Sequence, residues 1–102
     1  MPFLIETWDK PDSQALRQQH RATHLDFLAA NAAKLLAVGA KLADDGSDGG
    51  GSFYIVDVET REEAEAFLAA DPFSQVGLPA RHVITRWRKA YLDGKSYLPP
   101  KA

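Results

Sequence analysis

Cysteine is absent from this chain of 102 residues, and so is any long apolar run. Without cysteine the protein has no disulfide, no thiolate nucleophile and no Cys-ligated zinc or iron–sulfur site. The apolar segment Phe3–Ile5 is followed at once by charged residues between Glu6 and Lys10. The sequence therefore lacks the apolar stretch of a signal peptide or a membrane span. We expect a cytoplasmic protein with no membrane partner.

A block of basic residues is missing as well. The 12 lysines and arginines are scattered, and 14 acidic residues outnumber them, for a formal net charge of -2. Because a phosphate backbone is attracted by concentrated positive charge, nucleic acid is not an expected partner. Arg86 and Arg88 flank Trp87, a pattern compatible with base stacking. In an acidic chain, charges that protect an edge strand from aggregation explain it better.

The composition that is present suits one globular domain. Hydrophobic residues make up 45% and charged residues 25%, close to globular averages. A chain of this length holds one modest core and not two. We divide it into a domain over residues 1–92 and a C-terminal tail over residues 93–102, which is expected to be loosely ordered or draped on a partner.

Strand and helix signatures alternate along the domain. Runs rich in β-formers predict strands over residues 3–8, 35–42, 52–58 and 82–91. A stretch without Gly or Pro predicts a helix over residues 14–33, and a capping box at Thr60 and Glu63 starts a second helix that ends at Asp71-Pro72. The glycine-rich residues 44–51 predict a flexible hairpin loop. The order β-α-β-β-α-β predicts a ferredoxin-like α+β fold, with a four-stranded antiparallel sheet and two helices on one face.

Both faces of this sheet carry apolar side chains. Phe3 and Ile5 alternate with Leu4 and Trp8, and the third strand is apolar at successive positions. Two helices cover one face only, and an uncovered apolar face is larger than a monomer normally exposes. We expect a homodimer that packs sheet on sheet into a barrel. The alternative is that Trp8, Tyr54 and their neighbours are covered by the tail or the glycine-rich loop of the same chain.

The first helix carries cationic residues on its buried face. Arg17, Arg21, His20 and His24 fall on the same side as the apolar Leu28. A buried face that becomes cationic is typical of a pocket wall.

The second helix continues its buried face with Asp71, since Ala64, Phe67, Leu68 and Asp71 are spaced i, i+3, i+4 and i+7. A carboxylate there faces the negative end of the helix dipole and calls for a compensating partner. If Asp71 accepts a hydrogen bond from one nitrogen of His24, the other nitrogen is left as a base aimed into the pocket. The alternative is a hydrogen-bonded core histidine beside an ordinary Asp-Pro helix end.

Several short motifs together resemble the YciI-like family over about residues 3–91. They are His24-Leu25 after Arg17 and Arg21, Leu35-Leu36-Ala37-Val38-Gly39, residues 62–69, and Asp71-Pro72-Phe73 followed by Gly77. Ala33 and Ala40 depart from the family pattern, in which glycine and proline are frequent at these positions.

The resemblance implies a dimeric α+β barrel built from ferredoxin-like protomers. It also implies a His–Asp pair in a cleft, which by position is His24 and Asp71, with Arg21 as the neighbour that meets an anionic ligand. One characterised type of relative eliminates chloride from chlorinated hydroxyquinols, and most members have no assigned reaction.

Two other kinds of site are partly matched by short motifs in the sequence. His20 and His24 have the i, i+4 spacing of a metal pair, but the intervening residues lack a catalytic glutamate and the nearby arginines would repel a cation. We expect no metal. Asp48-Gly49-Gly50-Gly51 lacks the lysine and the following helix of a phosphate-binding loop, and a mobile hairpin is the better interpretation.

The leading hypothesis is a cofactor-free enzyme that abstracts a proton from a small, anionic, oxygenated compound, with isomerisation or elimination following. His24 is the general base, Asp71 orients it, Arg21 with Arg17 holds the anionic oxygen, and Ser74 donates a further hydrogen bond. The second hypothesis is a non-catalytic module that binds a metabolite in the same pocket. The third is a structural dimer with a buried His–Asp hydrogen bond and no ligand.

Overall fold

Residues 1–100 are described by the structure, a computed structural model. The strands are β1 (Phe3–Asp9), β2 (Leu35–Leu42), β3 (Asp48–Val56), β4 (Pro79–Arg86), β5 (Tyr91–Leu92) and β6 (Lys95–Ser96). The helices are α1 (Gln14–Ala30), α2 (Arg61–Ala70) and the short α3 (Pro72–Gln75), and a 3₁₀ turn spans Ala32–Lys34. The first four strands form one antiparallel sheet in the order β2-β3-β1-β4. The predicted ferredoxin-like α+β fold is confirmed.

The core lies between this sheet and the helices. Phe3 and Ile5 of β1 point inward opposite Val56 and Tyr54 of β3. They pack with the buried face of α2, namely Ala64, Phe67 and Leu68. The capping box is half formed, because the hydroxyl of Thr60 accepts from the backbone N–H of Glu63 at 3.1 Å and donates to the Glu63 carboxylate.

The outer sheet face is mixed in character. Phe53 and Val83 are 38% and 43% exposed there, and Leu4 and Ile55 are half-buried. The ring of Trp8 on this face lies against two cations, Lys41 Nζ at 3.9 Å and the Arg81 guanidinium at 3.7 Å. Tyr54, which the sequence grouped with Trp8 as a residue that needs a cover, instead points into the core and is 1% exposed.

The glycine-rich segment differs from its prediction as a flexible loop. Residues 48–51 belong to β3, and only residues 43–47 form the turn between β2 and β3. A Cβ at Gly49 would lie 2.8 Å from the backbone of Lys41, and one at Gly51 would collide with the carbonyl oxygen of Thr7. Gly49 and Gly51 are therefore explained by close strand packing. Gly46 and Gly50 instead have φ angles of 87° and 74°, a backbone conformation that favours glycine.

Three element boundaries also differ. Helix α1 ends at Ala30, where the Asn31 side chain donates to the Phe27 carbonyl at 2.8 Å. Strand β4 begins earlier and ends earlier than predicted, at Pro79 and Arg86. Beyond it β5 and β6 pair as a hairpin with its turn at Asp93-Gly94. Within residues 1–100, no helix is long and apolar enough to cross a membrane.

Candidate functional site

His24 and Asp71 form the centre of the candidate site. Helix α1 presents His24 toward the sheet, and the end of α2 brings Asp71 beside it, with Nδ1 and Oδ1 2.8 Å apart. His24 is 6% exposed and Asp71 is fully buried. Because a carboxylate only accepts, Nδ1–H is the donor, and this selects the tautomer with a free Nε2. The structure thus brings together the two residues that the sequence paired.

Asp71 owes its position to the junction of two helices. It is the C-cap of α2 and the N-cap of α3, with Pro72 at the first position of α3. The Phe73 backbone N–H donates to Asp71 Oδ1 at 2.9 Å. The predicted conflict with the dipole of α2 is therefore offset by the capping of α3 and by His24.

Tyr54 is a site residue that the sequence did not reveal. Its hydroxyl donates to Asp71 Oδ2 at 2.5 Å, so each oxygen of this carboxylate has a donor. Burial, with the charge of Asp71 and the hydrogen bond to it, raises the pKa of Tyr54 above its ordinary 10.0. Adjacent β3 residues are apolar on both faces, so no periodic signal indicated which way Tyr54 points.

Phe73 supports the imidazole from the side. Its ring lies parallel to that of His24, with 3.9 Å between centroids and an interplanar angle of 12°. The Arg17 guanidinium also lies over the Phe73 ring, at 4.8 Å from its centroid. Such packing restricts rotation of His24 and fixes the direction of its second nitrogen.

Arg17 is buried and already occupied. Its guanidinium pairs with Asp9 at 3.3 Å and donates to the Gly51 carbonyl at 3.0 Å and the Ser52 hydroxyl at 2.7 Å. Burial raises the pKa of Asp9, while the charge of Arg17 acts in the opposite direction. Most of the N–H groups of Arg17 that were predicted to bind a substrate anion thus donate to other groups of the protein.

A cleft of about 470 Å³ opens between α1 and the β2–β3 hairpin. Helix α1 contributes Arg17, Arg21, His24, Leu25 and Leu28 to its lining, and Phe73 of α3 joins them. Strand β2 contributes Val38 and Leu42. Arg21 is exposed at this cleft, and no hydrogen bond within residues 1–100 occupies its guanidinium. His24 Nε2 likewise has no partner among the described residues and is not sealed from solvent.

Ser74 and His20 are placed elsewhere. Ser74 lines a separate groove of about 440 Å³ with Glu65 and His82, so the structure does not bring it to His24. His20 is half-buried and does not line the cleft. Over residues 1–100, no group of three or more His, Cys, Asp or Glu side chains is arranged to hold a metal ion.

An α+β domain with a buried imidazole–carboxylate pair at the wall of a cleft defines a class of proteins suited to small-molecule ligands. The chain belongs to the YCII-related domain family, which matches residues 1–88. This confirms the resemblance found in the sequence. Comparison with curated proteins gave no match.

A solved structure similar to this chain is the 5-chloro-2-hydroxyhydroquinone dehydrochlorinase from Burkholderia phenoliruptrix, in complex with 2,5-dihydroxybenzoquinone. The two share 36% sequence identity with a TM-score of 0.79. The match covers 86% of this chain and 94% of that one. The similar protein is therefore a small-molecule enzyme with a ring compound as its ligand.

Proposed function

We propose that this protein is an enzyme that abstracts a proton from a small hydroxylated ring compound of the hydroquinone or quinone type. The observation that carries the proposal is the buried hydrogen bond between His24 Nδ1 and Asp71 Oδ1, which is 2.8 Å long. The imidazole ring of His24 also lines the cleft. This geometry leaves Nε2 as a base facing the ligand space. A general base oriented in this way contributes about 10²–10⁴-fold to a proton transfer.

The proposed step is an elimination or isomerisation. His24 Nε2 takes a proton from the substrate, and the electron pair left behind forms a new double bond. In an elimination the leaving group departs with its own bonding pair, and the imidazolium releases its proton to water. In an isomerisation a neighbouring double bond opens instead, and the carbon that receives its electron pair takes the proton back from Nε2. Asp71 stabilises the imidazolium that forms and keeps its ring in place. Neither residue needs a bound cofactor for this step.

The substrate class follows from the walls of the cleft and from the similar enzyme. A flat ring matches a cleft whose lining combines leucine and valine side chains with the His24–Phe73 stack. Arg21, exposed at this cleft, is the cation available for an ionised hydroxyl. We assign Arg17 a supporting position beside the ligand, and we no longer include Ser74, which lies in another groove.

The test uses chlorinated hydroxyhydroquinones and dihydroxybenzoquinone. Chloride release and loss of substrate absorbance are measured with the wild type, His24→Gln, Asp71→Asn and the control His20→Gln, which alters a histidine outside the cleft. We expect a loss of 10²-fold or more in kcat for His24→Gln, and wild-type turnover for His20→Gln. Equal turnover in wild type and His24→Gln would contradict the proposal.

The same variants separate the two other hypotheses. A metabolite-binding module would bind dihydroxybenzoquinone in calorimetry with nearly equal affinity in wild type and Asp71→Asn, without turnover. A purely structural pair would bind nothing, and both variants would only lower the melting temperature.

We further propose that a second copy of the chain covers the outer sheet face. Phe53 and Val83 are exposed at its surface, in line with the expectation of a sheet-on-sheet dimer. The Glu6–Lys41 ion pair, 2.9 Å long, neutralises the two charges on neighbouring parts of this face. A face with paired charges and apolar neighbours is suited to burial against another sheet.

A further inference from the structure

Tyr54 makes a contact that the proposed reaction does not itself require. It lies on β3, whose inner face looks toward α1 and α2, and its hydroxyl reaches Asp71 Oδ2 at 2.5 Å. Asp71 Oδ1 is shared by His24 and the Phe73 backbone N–H. Within residues 1–100, Tyr54 is thus the one protein donor for Oδ2. Without it, a fully buried carboxylate oxygen would lose its hydrogen bond.

The phenol is held rigidly by aromatic neighbours. Its ring meets Phe67 edge to face with 5.9 Å between centroids, and it meets the imidazole of His24 at 6.4 Å and 83°. Tyr54 is 1% exposed. Burial and the charge of Asp71 raise the pKa of Tyr54 above its ordinary 10.0, so the hydroxyl keeps its proton at neutral pH. Tyr54 is therefore a permanent donor.

We propose that Tyr54 is a positioning residue that moderates the basicity of His24 through Asp71. The negative charge of the carboxylate is shared between the imidazole on one oxygen and the phenol on the other. A strong hydrogen bond to Oδ2 lowers the attraction that Oδ1 exerts on a protonated imidazole. This inference rests on the proposed function where it concerns turnover, but the coupling of the three side chains exists without a substrate.

The test replaces the hydroxyl and keeps the ring. NMR titration of the His24 ring protons is compared in wild type and Tyr54→Phe. We expect the midpoint to rise by about one pH unit in Tyr54→Phe. Without the phenol hydrogen bond, the negative charge of Asp71 stabilises the imidazolium of His24 more strongly. With an active substrate, the acid limb of kcat/KM moves to higher pH by the same amount. An unchanged or lower midpoint in the folded variant would overturn the inference.

Two controls isolate the hydroxyl. Val56→Ala removes core volume at the next inward position of β3, and it should lower stability without moving the His24 midpoint. Tyr91→Phe removes the hydroxyl of a tyrosine that is 60% exposed, and it should change neither quantity. A shift in Val56→Ala equal to that in Tyr54→Phe would assign the effect to looser packing and overturn the inference.

A second measurement needs no substitution at position 54, so it holds even if Tyr54→Phe does not fold. In wild type labelled with ¹³C at the tyrosine Cζ, the Tyr54 signal should move at the midpoint of His24. In Asp71→Asn this response should be lost. A Tyr54 signal that is constant through the His24 titration would overturn the inference. Neither measurement uses substrate. If the protein proved inactive, the proposed function would be refuted, and the same NMR measurements would still show whether Tyr54, Asp71 and His24 are coupled.

Discussion

The imidazole of His24 rests on the ring of Phe73, nearly parallel to it, with 3.9 Å between the two centroids. Phe73 follows Asp71 by two residues, so the same short helix that presents the carboxylate also presents the supporting ring. One segment of chain thereby supplies both the hydrogen-bond partner of His24 Nδ1 and the ring on which the imidazole stacks. The geometry of the site therefore depends on where α3 begins.

Phe73→Leu tests this support. The variant loses the ring stack, so we expect kcat to fall about tenfold as His24 becomes free to rotate, with a stability loss of about 1–2 kcal/mol. Kinetics and thermal unfolding provide the measurements. Phe3→Leu is the matched control, since Phe3 is equally buried in the core and does not contact His24. A similar fall in kcat for both variants would argue against a specific role of the stack.

Substitutions of Arg17 and Arg21 should have different effects, on stability for Arg17 and on substrate binding for Arg21. Arg17→Met leaves Asp9 buried without its cation, so we expect a loss of about 3 kcal/mol in the free energy of unfolding. Arg21→Met removes an exposed guanidinium, so stability should change by less than about 0.5 kcal/mol while KM rises. Urea unfolding and steady-state kinetics check both. The double variant Arg17→Met/Asp9→Asn should regain part of the lost stability.

The titration of Asp9 should contribute to the pH dependence of the free energy of unfolding. Burial raises its pKa above the ordinary 3.8, so the folded protein binds this proton more tightly than the unfolded chain does. Its contribution to stability is therefore largest at low pH and is lost as pH rises from 3.8 through the raised value. Urea unfolding from pH 3.5 to 7 should show wild type losing stability relative to Asp9→Asn over this window. A relative gain would contradict the assigned direction.

Oligomeric state should depend on the outer sheet face. Phe53→Glu places a charge on that face, and we expect the dimer to dissociate because burying an unpaired carboxylate is costly. Sedimentation equilibrium measures the change. Leu25→Glu is the control, as Leu25 is similarly exposed but lies on α1, on the other side of the sheet. A wild-type protein that is monomeric at every concentration would refute the proposed dimer itself.

Gly51 should be intolerant of a side chain. In Gly51→Ala the new Cβ would strike the Thr7 carbonyl oxygen on the neighbouring strand, so β1 and β3 would have to separate. We expect a loss of about 2 kcal/mol or more. Gly39→Ala is the matched control in β2, because nothing lies within 4 Å of its Cβ position. Circular dichroism during thermal unfolding should show a lower melting temperature for Gly51→Ala alone.

Local patterns in the sequence were sufficient for the order of the main helices and strands. The capping box at Thr60 and the Asp71-Pro72 step are short-range signals, and both define helix ends at the expected places. Helical periodicity put His24 and Asp71 on buried faces, and it left a hydrogen-bonded core histidine as the alternative. The resemblance to the YciI-like family is what implied that these two residues form a pair.

The tertiary structure decided which groups share the cleft. Period-two alternation cannot orient a strand that is apolar on both sides, so Tyr54 was placed correctly only by the register of β3 against β1. Arg17 has a charge suited to binding an anionic ligand, but in the fold its guanidinium donates hydrogen bonds to Asp9 and Ser52. Ser74 lies three residues from Asp71, yet the turn of α3 directs it to another groove. The positions of Tyr54 and Arg17 depend on contacts between residues distant in sequence, which local propensity does not encode.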